Sequence, residues 1–227
     1  MEKTKDRAGV YQILGQMSLN AGDSKRGIQY LEKAVAENPK LMNAYIMIGN
    51  AYAKLDDFDR AIREYQTAIE KNPRAIQPNM LIATLYDRRQ DYTKANEYYE
   101  KVLEINSTFS PAANNLAWNI AQNGGNLDVA LRWAEKAREY DQHNPGVADT
   151  LGWVMYKRGI FDKAIGLLKE SSEGFGNKNP QVIYHLGMAY YQSGQRSQAR
   201  VTLTRALASG KFDGSDEAQK ILSLIGG

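Results

Sequence analysis

The two histidines are the first candidates for acid–base chemistry in this 227-residue chain. His143 lies beside an Asn-Pro pair that is typical of a turn, and His185 lies in an apolar stretch with helical periodicity. Neither has an obvious carboxylate partner at helical spacing. Because a catalytic base needs an orienting partner and a nearby reacting group, we predict that both histidines are structural or solvated.

Other residue types that carry chemistry are absent or lie in unsuitable places. The chain has no cysteine, which excludes disulfides and thiolate-bound metals. Carboxylate pairs such as Asp56-Asp57 lie in turns, where they favour the start of the next helix. The Gly124-Gly125 pair lies between two predicted helices, whereas a phosphate-binding loop follows a strand. We therefore predict a non-enzyme with no catalytic residue, no metal site and no cofactor.

The elements that position the remaining side chains are helices with a repeating pattern. The stretch YIMIGNAYAKLDDFDRAIREYQTAIEKNP, residues 45–73, is the clearest copy. Its spacing of three and four residues predicts two helices joined by a polar turn and ended by Asn-Pro. The residues that share one face are Tyr45, Ile48, Gly49 and Tyr52 in the first helix, and Ala61, Tyr65 and Ala68 in the second.

This pattern resembles the tetratricopeptide repeat (TPR), whose signature is a bulky residue, Leu-Gly and Tyr in the first helix, then Ala, an aromatic residue, Ala and Pro. Six copies follow one another, at about residues 8–41, 42–75, 76–109, 110–144, 145–179 and 180–214. The resemblance implies an all-α fold, a right-handed TPR superhelix (α-solenoid) of six helix–turn–helix repeats. Residues 1–7 are a charged lead-in, and residues 215–227 are predicted to form a capping helix, N-capped by Ser215, and a tail.

In TPR proteins the first helix of each repeat lines a concave groove, so the resemblance assigns one stripe of each first helix to partner binding. In this chain the stripe is polar in the early repeats and aromatic in the later ones. Large, stiff aromatic side chains are typical of binding hot spots, and Asn114 and Asp149 could hydrogen-bond a peptide backbone. The alternative is that the aromatic side chains fill gaps between first helices. The predicted groove residues are Asn50, Asn114, Trp118, Asp149, Trp153, Tyr156, Tyr184, Met188 and Tyr191.

One known mode of TPR recognition does not fit these residues. Many chaperone-associated TPR proteins hold a C-terminal carboxylate with a clamp of Lys, Asn, Asn, Lys and Arg. Asn50 matches one Asn position of that clamp, but Ile46 stands where the first Lys belongs, and Leu81 and Pro111 fill the later positions. We therefore predict no binding to an acidic chaperone tail.

The leading functional prediction is a non-catalytic scaffold that binds a protein or peptide segment in the groove, as in the assembly of a multiprotein complex. A net charge of +3, with 29 basic and 26 acidic residues interspersed, disfavours nucleic acid as the ligand. No apolar run has the length of a membrane span, so direct membrane insertion is not predicted. Two alternatives stay open: self-association into a structural organiser or homo-oligomer, and handling of a glycan or polymer.

A narrower resemblance concerns the second half of the chain. The segments LAWN, GGNLD and DTLGW are similar to the C-terminal repeats of bacterial exosortase-associated lipoproteins of exopolysaccharide export. That likeness implies a periplasmic setting if the chain is a piece of an exported protein. A cytoplasmic location follows instead if Met1 is the native start, because the first residues lack the apolar region of a signal peptide.

Overall fold

The computed structural model describes residues 6–226, and every regular element within that range is an α-helix. Residues 1–5 of the predicted lead-in and the last residue of the predicted tail lie outside the described residues. Thirteen helices occupy the described range: α1 Arg7–Asn20, α2 Ser24–Glu37, α3 Met42–Lys54, α4 Phe58–Lys71, α5 Ile76–Arg88, α6 Tyr92–Ile105, α7 Ser110–Gln122, α8 Leu127–Tyr140, α9 Pro145–Lys157, α10 Phe161–Gly174, α11 Pro180–Gln192, α12 Arg196–Ser209 and α13 Ser215–Ile225.

The chain forms two compact units, Met1–Ser107 and Thr108–Gly227. In the first unit the helices pair as the hairpins α1–α2, α3–α4 and α5–α6. In the second unit the hairpins are α7–α8, α9–α10 and α11–α12, and α13 packs against α12. Each hairpin also packs against the next one in its unit, so the helices bury their apolar faces in sequence order.

Side-chain caps begin the second helix of each hairpin in the first unit. Asp23, Asp57 and Asp91 recur at intervals of 34 residues, and each accepts a hydrogen bond from the backbone N–H three residues later, with N···O distances of 3.0–3.2 Å. An acidic N-cap satisfies an otherwise unpaired N–H and complements the helix dipole, which stabilises a helix by about 1 kcal/mol. The prediction that the Asp56-Asp57 pair starts a helix is therefore confirmed for Asp57.

The two helices of a hairpin approach closely where the first helix carries a small residue. A side chain at Gly49 would lie 2.4 Å from the ring of Tyr65, and one at Gly187 would lie 2.5 Å from Leu203. Both large residues are fully buried or nearly so, at 1% and 0% exposure. Glycine on one helix thus makes room for the largest core residue of the other.

In the later hairpins of each unit, one face of the first helix packs against the preceding hairpin. The equivalent face of α1 is also apolar. Val10, Ile13 and Met17 occupy this face and are exposed by 55%, 62% and 62%. Their equivalents in α3 pack against α2: Ala44 and Ala51 are buried there, and Met47 packs against the same cluster. Helix α1 therefore exposes an apolar stripe whose equivalent in α3 is buried against α2.

The start of α13 differs from the prediction. Ser215 is the first residue of the helix rather than its N-cap, and its hydroxyl donates to the carbonyl oxygen of Phe212 at 2.6 Å. The N-cap is Gly214, with φ of 98°, a conformation that favours glycine. A side chain at Gly214 would lie 2.5 Å from the ring of Tyr184, so the prediction of a Ser215 cap was wrong because this close approach sets the backbone instead.

In the part of the chain that the structure describes, no helix combines the length and apolar character needed to cross a lipid bilayer.

Replacing Tyr65 by phenylalanine tests the burial of its hydroxyl. Burial raises the pKa of the Tyr65 phenol to about 12, whereas a tyrosine in the unfolded chain titrates at about 10. Between these values only the unfolded state loses the proton, so the free energy of unfolding falls as the pH rises from about 10 towards 12. We expect Tyr65 to contribute a loss of about 2 kcal/mol over this interval, and Tyr65→Phe to lack that loss in urea unfolding curves.

At neutral pH the same variant loses the hydrogen bond from the Tyr65 hydroxyl to Asn50, at a cost of about 1 kcal/mol or less, because exposed Asn50 regains water. Tyr140→Phe removes the hydroxyl of an exposed tyrosine and serves as the control, which should keep the wild-type pH dependence. If the free energy of unfolding of Tyr65→Phe falls between about pH 10 and 12 as much as that of wild type, the Tyr65 phenol is not the group responsible.

Candidate functional site

The predicted groove residues lie on the first helices of hairpins in both units. Asn50 is the member in the first unit; it is exposed on α3, and its carboxamide oxygen accepts a hydrogen bond from the Tyr65 hydroxyl at 2.7 Å. All others belong to the second unit: Asn114 and Trp118 on α7, Asp149, Trp153 and Tyr156 on α9, and Tyr184, Met188 and Tyr191 on α11.

The structure divides the second-unit residues into buried and half-buried ones. Trp153, Tyr184 and Met188 are exposed by only 7%, 3% and 2%, and Asp149 is also buried. The half-buried members, which keep some contact with solvent, are Asn114, Trp118, Tyr156 and Tyr191. The alternative that aromatic side chains fill gaps between first helices therefore describes Trp153 and Tyr184, whereas the half-buried residues keep surface that a partner could contact.

Aromatic rings from α7, α9 and α11 meet in one cluster, made of Trp118, Trp153, Tyr156, Tyr184 and His185 and here called the aromatic cluster. Trp153 is central: its ring stacks on Tyr156 at 4.6 Å between centroids and on His185 at 4.0 Å. Tyr184 and Trp118 both pack at 5.7 Å from the imidazole of His185. Each ring pair at such a separation stabilises the fold by about 0.5–1.5 kcal/mol, in addition to the contribution from burying its apolar area.

Polar side chains under the aromatic cluster form a continuous chain of hydrogen bonds. The backbone N–H of Asp213 donates to Gln181 Oε1 at 3.0 Å, and Gln181 Nε2 donates to the Asp213 carbonyl oxygen at 3.2 Å. This pairing orients the carboxamide, so Gln181 Nε2 also donates to His185 Nε2 at 2.9 Å. His185 Nδ1–H in turn donates to Asp149 Oδ1 at 2.8 Å.

This arrangement gives His185 a structural role. The imidazole is fully buried, and both ring nitrogens are engaged, one as a donor and one as an acceptor. A general base needs a free lone pair directed at its substrate, which His185 does not offer here. Within residues 6–226, moreover, no three His, Cys, Asp or Glu side chains come together in a way that could hold a metal ion.

The structure gives Asp149 a hydrogen-bond partner within the chain. It was expected to face the backbone of a bound peptide, but it is buried, and its Oδ1 accepts from His185. Sequence reasoning missed this pair because the two residues lie on different helices. The repeat register carried a usable signal, since Pro145 and Pro180 begin equivalent helices and His185 directly follows the position equivalent to Asp149.

Helix α13 and the segment before it contact Tyr184 of the aromatic cluster. The Tyr184 hydroxyl donates to Glu217 Oε2 at 2.7 Å, and the ring of Phe212 lies 5.1 Å from that of Tyr184. Ala218 and Ile221 of α13 are buried in the apolar cluster that contains Tyr184. The last helix thus covers one of the predicted groove residues.

The same contacts perturb the titration of nearby side chains. Burial raises the pKa of the Tyr184 phenol well above its usual value, and the hydrogen bond to the Glu217 carboxylate raises it further. Burial also raises the pKa of Tyr156, with the charge of Glu217 as a second cause. Burial lowers the pKa of Lys157, whose Nζ donates to the Ala121 carbonyl oxygen at 3.0 Å. Both phenols therefore remain protonated at neutral pH, and Tyr184 is a hydrogen-bond donor to a carboxylate.

Three family models described as tetratricopeptide repeat match residues 8–41, 46–114 and 181–209, more than half of the chain. These matches agree with the helical hairpins described above. The chain belongs to the tetratricopeptide repeat superfamily. No curated protein sequence matches it.

Solved structures share this fold. PilF of Pseudomonas aeruginosa superposes with a TM-score of 0.77 at 17% identity, over 98% of this chain and 99% of that chain. YrrB, described as a TPR protein with an unusual peptide-binding site, gives 0.66 at 20% identity, over 79% and 91%. A chain of the Cut9–Hcn1 hetero-tetramer of the APC/C gives 0.72 at 17% identity over 98% of this chain, which spans only 44% of that one.

At these identities the likeness shows the fold alone. The predicted fold class, an all-α TPR solenoid, is confirmed. None of the comparisons supports the narrower resemblance to exosortase-associated lipoproteins. That the predicted groove residues of this TPR protein contact a partner remains a prediction, both for the buried and for the half-buried ones.

Substitutions at Asp149 test the hydrogen-bond chain. Asp149→Ala leaves the Nδ1–H of fully buried His185 unpaired, and an unsatisfied buried donor costs about 1–3 kcal/mol. Asp149→Asn keeps an acceptor oxygen and should cost less than half as much. The measurement is the free energy of unfolding in urea, with Glu135→Ala, at an exposed position inside α8, as the control. If Asp149→Ala costs no more than the control, Asp149 does not hold His185.

Proposed function

We propose that this TPR protein is a non-catalytic scaffold that binds a peptide segment of a partner protein, and that the segment contacts the half-buried residues of the predicted groove stripe in the second unit. The observation that carries the proposal is the aromatic cluster, to which three successive first helices contribute. Its buried members hold the half-buried ones in place. Rigid aromatic anchors lose little conformational entropy on binding, which is why they dominate many interfaces.

The half-buried residues offer both apolar and polar contacts. Trp118 lies one helical turn after Asn114 on α7. The Asn114 amide nitrogen makes a long contact of 3.4 Å to Asn115, and its Oδ1 is buried with no hydrogen-bond partner among the described residues. Rotation of this side chain would present an amide to a peptide backbone beside the indole of Trp118.

Two structural relatives make protein binding a natural role for this fold. YrrB is described as having a peptide-binding site, and the Cut9–Hcn1 structure is a hetero-tetrameric assembly. The absence of a free catalytic base at His185 favours binding over catalysis in the second unit. Peptide binding is therefore the role that the geometry supports best.

Selection of binders from a random peptide library displayed on phage tests this proposal. We expect an enriched class of peptides that bind wild type and bind Trp118→Ala at least about tenfold more weakly, a difference of about 1.4 kcal/mol. Trp133→Ala is the matched control: it removes a half-buried tryptophan from α8, the second helix of the same hairpin, and should bind like wild type.

Both tryptophan variants must keep the helical circular dichroism of wild type for this comparison. Peptides that bind Trp118→Ala as tightly as wild type would contradict the proposed site. A glycan array assayed in parallel separates the glycan-handling alternative, and binding of glycans without any enriched peptide would overturn the peptide proposal.

Self-association is a second candidate, favoured by the exposed stripe of Val10, Ile13 and Met17 on α1. Exposed apolar residues arranged in a stripe commonly mark an interaction surface. If two copies meet through this stripe, wild type will sediment as a dimer or larger species, and Ile13→Asp will sediment as a monomer. A wild-type monomer up to millimolar concentration would exclude this candidate.

A further inference from the structure

Helix α13 is amphipathic, and its apolar face packs against α12 and the apolar cluster that contains Tyr184. Ala218 and Ile221 are exposed by only 0% and 6%, and Leu222 and Ile225 pack against the same cluster. These four residues follow the spacing by which amphipathic helices dock into grooves. Leu224 lies off this face and is 66% exposed.

The cluster that α13 packs on contains most of the predicted groove residues of the second unit. Its buried part includes Ala218 and Ile221 of α13; the predicted groove residues that belong to it or pack against it are Trp118, Trp153, Tyr156, Tyr184, Met188 and Tyr191. One of the residues predicted to bind a partner segment, Tyr184, therefore already contacts a helical segment of this chain.

The contacts at the start of α13 define the chemistry that this surface accepts. Glu217 accepts a hydrogen bond from the Tyr184 hydroxyl, whose raised pKa keeps it a donor. The next residue, Ala218, is completely buried, so this surface accommodates a small apolar side chain there. Gly214 lies against the Tyr184 ring, where a side chain would come within 2.5 Å.

The helix is short, and its connection to the rest of the unit is irregular. It has 11 residues, and isolated helices of that length are marginally stable in water. Residues 210–214 join it to α12, and both Gly210 and Gly214 adopt positive φ angles, of 137° and 98°. The helical state of α13 therefore depends on its packing against the second unit.

We infer that this surface of the second unit is a binding site for amphipathic helices, that α13 is its resident occupant, and that a partner helix competes with α13 for it. The inference rests on the proposed function and names its partner class. The sequence of α13 gives the pattern expected of the partner segment, in which an acidic residue is followed directly by a small apolar residue. Larger apolar residues then stand four, five and eight positions after the acidic one. The corresponding residues of α13 are Glu217, Ala218, Ile221, Leu222 and Ile225.

A peptide of residues 211–226 with a fluorescent label tests the inference by anisotropy with full-length protein. In wild type the tethered α13 competes with the peptide at high effective concentration. Ile221→Asp places a charge at a buried position of α13 and should release the helix. We expect this variant to bind the peptide at least about tenfold more tightly than wild type.

The controls separate release of α13 from general damage. Leu224→Asp makes a similar change at an exposed position of the same helix and should bind the peptide like wild type. Gly214→Ala disturbs docking without adding a charge, because its side chain would collide with Tyr184, and it should also bind the peptide more tightly than wild type. A peptide that itself carries Ile221→Asp should not bind any of these proteins.

Several outcomes would overturn the inference. If Ile221→Asp and Gly214→Ala keep their helical circular dichroism but bind the peptide no better than Leu224→Asp, α13 is a fixed cap. If both variants lose the helical signal of the second unit, α13 is part of the fold and does not exchange.

The outcome also separates this inference from the proposed function. Library peptides that depend on Trp118 but do not compete with the peptide of residues 211–226 would leave the scaffold proposal standing and reject the exchange of α13. Peptides that ignore Trp118 would count against the proposed site itself.

Discussion

The short distance between the two helices of a hairpin is the constraint on which the packing of each unit depends. At Gly49 and Gly187 the first helix has no side chain, and Tyr65 and Leu203 of the facing helices occupy the space. Each of these large residues is then almost completely buried. Close packing at native density leaves no room for an additional carbon atom, so this contact sets the separation of the helices. The other faces of the first helix remain for the neighbouring hairpins and for ligands.

In the second unit the faces left over by this packing carry large aromatic residues. An aromatic side chain buries a large apolar area, so Trp153 and Tyr184 gain more by packing on one another and on His185 than by facing water. Trp118 and Tyr156 lie at the margin of the cluster and remain partly exposed. The result is an apolar cluster with partly exposed edges, and α13 packs where Tyr184 lies.

Burial of the cluster also requires its polar groups to be paired. Asp149, His185 and Gln181 satisfy one another in a chain that ends on the backbone of Asp213, in the segment that leads to α13. The Asp149–His185 hydrogen bond is buried, where an unpaired polar group is costly, whereas the Gln181–Asp213 pairing is exposed. The hydrogen bonds therefore tie α9 and α11 to the segment before the last helix, so the position of α13 and the order of the aromatic cluster depend on each other.

Local patterns in the sequence were sufficient to predict the hairpins, because their causes lie within a few residues of one another. The cap at Asp57 and the spacing of Tyr45, Ile48 and Tyr52 each act within one or two helical turns. The repetition of these signals also identified the TPR fold, since a solenoid only stacks copies of one unit. The positions of the aromatic stripe followed from the same register.

Tertiary structure alone decided which residues of that stripe stay accessible. Burial depends on neighbours that are distant in the chain: Asp149 is occupied because His185 comes from another helix, and Tyr184 is covered because α13 packs on it. The start of α13 was likewise decided by the approach of Gly214 to the Tyr184 ring rather than by the local preference of Ser215 for an N-cap. The sequence by itself determined the helices and their register. The burial of a side chain, and hence the chemistry that it can offer, was decided only when the helices packed, because close packing and hydrogen-bond pairing act between residues that the sequence does not place side by side.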